Sequence, residues 1–159
     1  METINLQLSL YRHADITHFS EQEQALIKAA HAALDTAYAP YSQFRVGAAL
    51  LLDDGTIVSG SNQENAAYPS GLCAERVAFF SAGSQFPNKQ ILAAAVTTSY
   101  PLEHPVSPCG ACRQVMAEYE LKQGTSIKLF MCSHDGSVIV ANKTRDLLPL
   151  YFSGEWLRK

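Results

Sequence analysis

What this chain lacks narrows its function before any motif is considered. It has no apolar run approaching the ~20 residues that a membrane span requires. Met1 to Leu10 has neither the basic start nor the continuous apolar stretch of a secretory leader, so the expected location is cytoplasmic. There is no basic excess: 12 Lys and Arg stand against 15 Asp and Glu, for a net charge of −3. With nothing in the bulk composition to neutralise phosphates, neither nucleic acid nor a membrane is an expected partner. The five histidines, His13, His18, His31, His104 and His134, show no ligand spacing and are expected at surfaces or turns. No internal repeat, low-complexity tract or linker interrupts the chain. Cysteine is scarce too, at four residues. Closely spaced thiols in a chain without an export signal point to metal binding or catalysis rather than to disulfides.

The length of 159 residues fits one domain with room for a real core. Residues 1–19 read as an N-terminal extension and 20–159 as a single catalytic domain. Ile4, Leu6, Leu8 and Leu10 alternate with polar residues, a strand-like period that suits an added edge strand or a partner contact. Ser20 followed by Glu23 is a capping box. The apolar positions Leu26, Ala29, Ala30, Ala33, Leu34 and Ala37 predict a helix that stops near Tyr38, ahead of Pro40. Val46 to Leu52 and Thr56 to Gly60 flank Asp53-Asp54-Gly55 as a hairpin. A helix over Cys73 to Gly83, a strand over Ile91 to Thr98, a helix over Gly110 to Gln123 and a strand over Ile127 to Cys132 follow. A turn at His134-Asp135-Gly136 then leads into Val138 to Ala141, and a short helix spans Thr144 to Leu148. Alternating strands and helices require crossovers and parallel pairing, while the terminal hairpins add antiparallel strands. The expected fold is α/β, a three-layer α-β-α sandwich around a mixed, roughly five-stranded sheet.

Two segments carry chemistry: Cys73-Ala74-Glu75-Arg76 and Pro108-Cys109-Gly110-Ala111-Cys112-Arg113. Both lie where a loop becomes a helix. Cys109 and Cys112 share a helical face, and the unpaired N–H groups and dipole of a helix start favour thiolates. Abutting helix starts would bring three sulfurs to one point, where tetrahedral zinc would keep an open corner for water. Three thiolates outweigh the charge on Zn2+, so a nearby cation is needed. Arg76, three residues after Cys73, is favoured over Arg113 as the donor to the sulfurs. Glu75, in the same first turn, is placed to move protons at the bound water without ligating the metal.

Three thiolates, or two with a histidine, together with a free Glu and a Pro-Cys-x-x-Cys segment, form the pattern of zinc nucleobase deaminases. The chain resembles the small, homotetrameric type of cytidine deaminase. The likeness is carried by Tyr38-Ala-Pro-Tyr-Ser-Gln-Phe44-Arg-Val-Gly-Ala-Ala-Leu50, Gly60-Ser-Asn62-Gln-Glu64-Asn-Ala-Ala-Tyr68-Pro, the Cys73 segment and Ser107-Pro-Cys-Gly-Ala-Cys-Arg-Gln114, in order from about Ser20 to Phe152. The resemblance implies hydrolytic deamination of free cytidine and 2′-deoxycytidine by a zinc-bound hydroxide, with Glu75 as proton shuttle, in pyrimidine salvage. It also implies that Asn62 and Glu64 bind the ribose 3′-hydroxyl, that Phe44 packs on the pyrimidine, and that the Ala74 N–H meets the 2-oxo group. In such tetramers the active sites lie near subunit contacts. Ala66 and Tyr68 match positions near the 5′-hydroxyl, and Phe152 matches an aromatic reaching a neighbour's site, a part that Tyr151 could also play.

Plainer readings stand beside these. Cys132 as a fourth ligand would make the zinc structural. Phe44, Tyr68 and Phe152 could be ordinary packing residues, and Asn62 an ordinary loop residue. An aminonucleoside deaminase would share the metal segments but not Asn62-x-Glu64-Asn65-Ala66. A polynucleotide editor would resemble a His-x-Glu first segment and carry a basic stripe.

Overall fold

The computed structural model describes residues 1–157 of the chain. Its strands are β1 (Tyr11–His13), β2 (Val46–Leu52), β3 (Ile57–Ser61), β4 (Ile91–Thr98), β5 (Lys128–Cys132) and β6 (Val138–Ala141). Its α-helices are α1 (Glu21–Ala32), α2 (Ala74–Gln85) and α3 (Gly110–Gln123). The strands form one sheet in the order β1-β6-β5-β4-β2-β3, in which β4 and β5 pair in parallel and the other neighbours are antiparallel. The architecture is the expected α/β sandwich, with six strands instead of five. The extra strand comes from the extension, though not from the alternating segment. Tyr11–His13 pairs with Val138–Val140, while Ile4, Leu6, Leu8 and Leu10 lie outside regular structure and are exposed. Continued backwards from Tyr11, a strand would run past Ala141, the last residue of β6, and find no ladder partner.

Strand alternation divides the core into two layers. Ala48, Leu50, Leu52, Ala94, Val96, Leu129 and Met131 face α2 and α3, where Phe79 and Met116 pack among them. Ala49, Leu51, Ala93, Ala95, Phe130 and Val140 face the other way, onto Leu26, Ile27 and Ala30 of α1. Helix α1 opens on the capping box, with Ser20 Oγ accepting from the Glu23 N–H and the Glu23 carboxylate accepting from the Ser20 N–H at 3.0 Å. It ends sooner than the apolar period suggests. After Ala32 the chain tightens into a 3-10 turn at Ala33–Thr36, and Ala37 is already extended, ahead of Pro40. His31 lies within α1, half-buried, and His13 lies in β1, so these two are not at turns. Among the described residues no helix is long and apolar enough to cross a membrane.

The topology positions the site. Strands β3 and β4 both run antiparallel to β2, so they point the same way and end on the same side of the sheet. Each is followed by a loop that turns back into a helix, which places the starts of α2 and α3 side by side outside those strand ends. Helix α2 lies unusually close to β3 because position 60 is glycine. A methyl there would sit 2.5 Å from the Ala78 nitrogen and 2.6 Å from the Ala74 carbonyl oxygen. Gly60→Ala is therefore expected to push the first turns of α2 off the sheet and to destabilise the fold by about 1–3 kcal/mol, the usual penalty of overpacking. Thermal unfolding followed by circular dichroism measures this, and an unchanged midpoint would contradict the close packing.

Candidate active site

Cys73 and Cys109 are the N-cap residues of α2 and α3, and neither helix start has a side-chain cap. Cys112 lies one turn into α3 and is buried. The three sulfurs are all within 4.8 Å of one another, the one such His/Cys/Asp/Glu cluster among the described residues. Cys73 Sγ is 3.8 Å from Cys109 Sγ, and Cys109 Sγ is 3.5 Å from Cys112 Sγ. A tetrahedral ion with ~2.3 Å bonds to sulfur spaces its ligands about 3.8 Å apart, so the spacing of the trio suits zinc. The electrostatics fit as well. Hydrogen bonding from Cys112 and from Arg76 pulls the Cys73 thiol down to about 5, into thiolate form at neutral pH. Beside that thiolate, and buried, Cys112 holds its proton more tightly than an ordinary cysteine, and metal binding must displace it.

Arg76 Nη2 donates to Cys73 Sγ across 3.6 Å, which brings a positive charge to the sulfur cluster. Its Nε is buried without a hydrogen-bond partner, so this guanidinium retains a donor beside the sulfurs. Arg113 is engaged elsewhere: it donates to the carbonyls of Pro108 and Leu147 and to Ser107 Oγ, each at 2.8 Å, clamping the loop that leads into α3. Cys132 lies in β5 on the α1 side of the sheet, its thiol 3.9 Å from the Phe130 carbonyl, and is no part of the cluster. The closed four-thiolate arrangement is therefore not what the chain builds. Glu75 is only 6% exposed, and burial raises its carboxyl above the ordinary range.

Outside the sulfurs lies a cleft of about 750 Å³. It is lined by buried Glu75 with Cys73, Arg76 and Cys109, by the apolar Phe44, Val46, Leu72 and Val106, and by the polar Tyr41, Ser42, Asn62, Glu64 and Tyr68. The Phe44 ring also packs against Tyr100, with ring centres 5.7 Å apart. Asn62 braces the start of β2: its Oδ1 accepts from the Val46 N–H at 2.8 Å and its Nδ2 donates to the Phe44 carbonyl at 2.9 Å. Glu64 accepts from the Ser42 hydroxyl and from the Tyr41 and Ser42 N–H groups, which keep its carboxyl below the usual carboxylate range. Tyr68 is 79% exposed at the mouth.

Three of the residues expected at the substrate do not line this chain's cleft: Ala66, Ala74 and Phe152. Ala74 is buried at the first position of α2, where its backbone N–H has no intrahelical acceptor. Ala66 lies in an exposed loop. Phe152 is tied by its backbone to Gln114 of α3, through bonds of 2.8 Å and 3.2 Å, and the residue is 58% exposed. Sequence reasoning passed over Ser42, Tyr41, Leu72 and Val106 as site residues. Ser42 and Tyr41 lie inside a segment quoted for the resemblance, but nothing in their types or spacing marks them as chemical.

Residues 20–126 match the family described as the cytidine and deoxycytidylate deaminase zinc-binding region. The chain belongs to the cytidine deaminase family. A cytidine deaminase of Halalkalibacterium halodurans is 44% identical over 130 residues, which cover 82% of this chain and 87% of the relative. The crystal structure of a cytidine deaminase from Burkholderia pseudomallei superposes with a TM-score of 0.72 at 43% identity, covering 81% of this chain and 98% of that one. The cytidine deaminase of Mycobacterium tuberculosis gives 0.65 at 35% identity, covering 82% and 97%.

Replacing Cys73, Cys109 or Cys112 by Ser is expected to remove most bound zinc from the purified protein, whereas Cys132→Ala leaves it in place. Metal analysis by mass spectrometry checks this, and zinc lost with Cys132 would overturn the ligand set.

Proposed function

We propose that this chain hydrolyses free cytidine and 2′-deoxycytidine to uridine and 2′-deoxyuridine, releasing ammonia, as a step of pyrimidine salvage. The observation that carries the reading is the buried, non-ligating Glu75 beside three convergent sulfurs at the floor of an apolar cleft. Zinc held there would polarise a water in its remaining position and bring the water's pKa towards ~7.

The chain's own groups do the rest. Glu75 takes a proton from the attacking water and delivers it to N3 of the pyrimidine. That protonation makes C4 electrophilic, and water oxygen becomes bonded to C4. Glu75 then carries the remaining proton to the departing amine, so ammonia leaves and the 4-oxo product forms. Arg76 offsets the negative charge that three thiolates place around a divalent ion. Phe44 and the neighbouring apolar wall hold the ring, the Ala74 N–H at the start of α2 meets the 2-oxo group, and Asn62 and Glu64 receive the 3′-hydroxyl. Asn62 still has one N–H and one lone pair after bracing β2, enough for that contact.

Tyr68 lines the cleft and is largely exposed, while Ala66 and Phe152 are exposed and do not line it. This supports a homotetramer in which Ala66, Tyr68 and Phe152 serve sites shared between subunits. The acidic rim formed by Glu64, with no Lys and only Arg76 among the basic residues lining the cleft, favours a neutral nucleoside over a nucleotide.

Glu75→Gln is expected to keep fold and zinc while losing turnover by at least ~100-fold, the scale of one general acid–base group. The assay follows ultraviolet absorbance with cytidine, deoxycytidine and cytidine monophosphate. Near-normal activity in the variant would end this mechanism, and turnover of the monophosphate alone would end the nucleoside assignment.

A further inference from the structure

Phe44 precedes the first residue of β2 and follows Gln43, whose φ of 57° lies in the left-handed region. No strand partner holds its backbone there, and side chains do so instead. The Phe44 N–H donates to Ser42 Oγ at 3.0 Å, and its carbonyl accepts from Asn62 Nδ2 at 2.9 Å. The same Ser42 hydroxyl donates its single proton to Glu64 Oε1. Glu64 Oε2 is held separately, by the N–H groups of Tyr41 at 2.9 Å and Ser42 at 3.3 Å. One exposed hydroxyl therefore stands between the ring that walls the cleft and the carboxylate at its rim, accepting from the first and donating to the second.

We propose that Ser42 is a positioning residue that couples the sugar-binding carboxylate of Glu64 to the base-packing ring of Phe44, and thereby sets how strongly the site prefers nucleosides bearing a 3′-hydroxyl. The proposal rests on the nucleoside deaminase reading, with Glu64 at the sugar. A hydroxyl that donates to an anion becomes a better acceptor, so the hold on Phe44 strengthens as Glu64 is fixed. Without the Ser42 hydroxyl, Glu64 Oε1 loses its donor and the Phe44 N–H loses its acceptor together. Ser42 is exposed, so removing its hydroxyl takes little packing from the fold.

The test compares kcat and KM for cytidine and 3′-deoxycytidine in the zinc-loaded parent enzyme, Ser42→Ala and Ser42→Thr. The parent is expected to favour cytidine. In Ser42→Ala, KM for cytidine should rise about tenfold, the scale of one hydrogen bond to a charged group, with kcat changing far less. The preference for the 3′-hydroxyl should shrink with it, and Ser42→Thr, which keeps the hydroxyl, should restore both. Equal losses on the two substrates in Ser42→Ala, or a Ser42→Thr no better than Ser42→Ala, would overturn the coupling while leaving the nucleoside reading intact. A parent with no turnover, or with no preference between the two substrates, would instead bring down the role of Glu64 and this inference with it.

Discussion

Two helices begin beside one another at one end of the sheet, and each begins on a cysteine where a capping hydroxyl or carboxylate would normally stand. An uncapped start leaves several N–H groups without intrahelical acceptors and concentrates the positive end of the dipole. A good cap contributes about 1 kcal/mol, and the chain forgoes it twice. In exchange it places sulfur where the helix ends favour negative charge: Cys73 is drawn to thiolate, and Arg76 adds a full positive charge from the same turn. Stability is thus given up at the place where a metal could be held, a common relation between functional sites and the folds that carry them.

Holding the two helix starts together demands rigidity from their loops, and that rigidity is polar. Arg113 ties Pro108 and Ser107 to Leu147, so the approach to α3 is braced against the turn that follows β6. Asn62 binds the two backbone groups that bracket the entry to β2. Glu120, almost fully buried, accepts from the N–H groups of Ile127 and Thr144, each at 2.8 Å, and fastens the far end of α3 to β5 and to the turn beyond β6. Each of these side chains hydrogen-bonds backbone groups in irregular segments, which lets those segments hold their course around the cleft. The proposed sugar and base contacts would draw on the same segments, so structural and functional hydrogen bonds would share residues in the cleft's lining.

The apolar periods of the chain were a reliable guide where burial is one-sided. Strands β2, β4 and β6, helices α2 and α3 and the capping box at Ser20 lie where the pattern predicts them, within a residue or two. The pattern misled in two places. The alternation of Ile4 to Leu10 has the period of a strand, but a strand requires a partner, and the edge of β6 away from β5 pairs only with Tyr11–His13. The apolar face of α1 runs on past Ala32, but the extended backbone ahead of Pro40 tightens the last turn first.

By itself the sequence determined which residues can do chemistry and in what local frame: the spacing of Cys109 and Cys112 follows from helical pitch, and Glu75 and Arg76 follow Cys73 within one turn. Tertiary structure alone decided that these frames meet. The convergence of Cys73 with Cys109 depends on β3 and β4 pointing the same way across β2, and the exclusion of Cys132 depends on which face of β5 it occupies. The part of Ser42 was equally hidden, because a hydroxyl acquires its role from the two groups it touches, and one of these, Glu64, lies 22 positions away in the chain. Local chemistry is written in adjacent residues, whereas coupling is a property of distances that only folding creates.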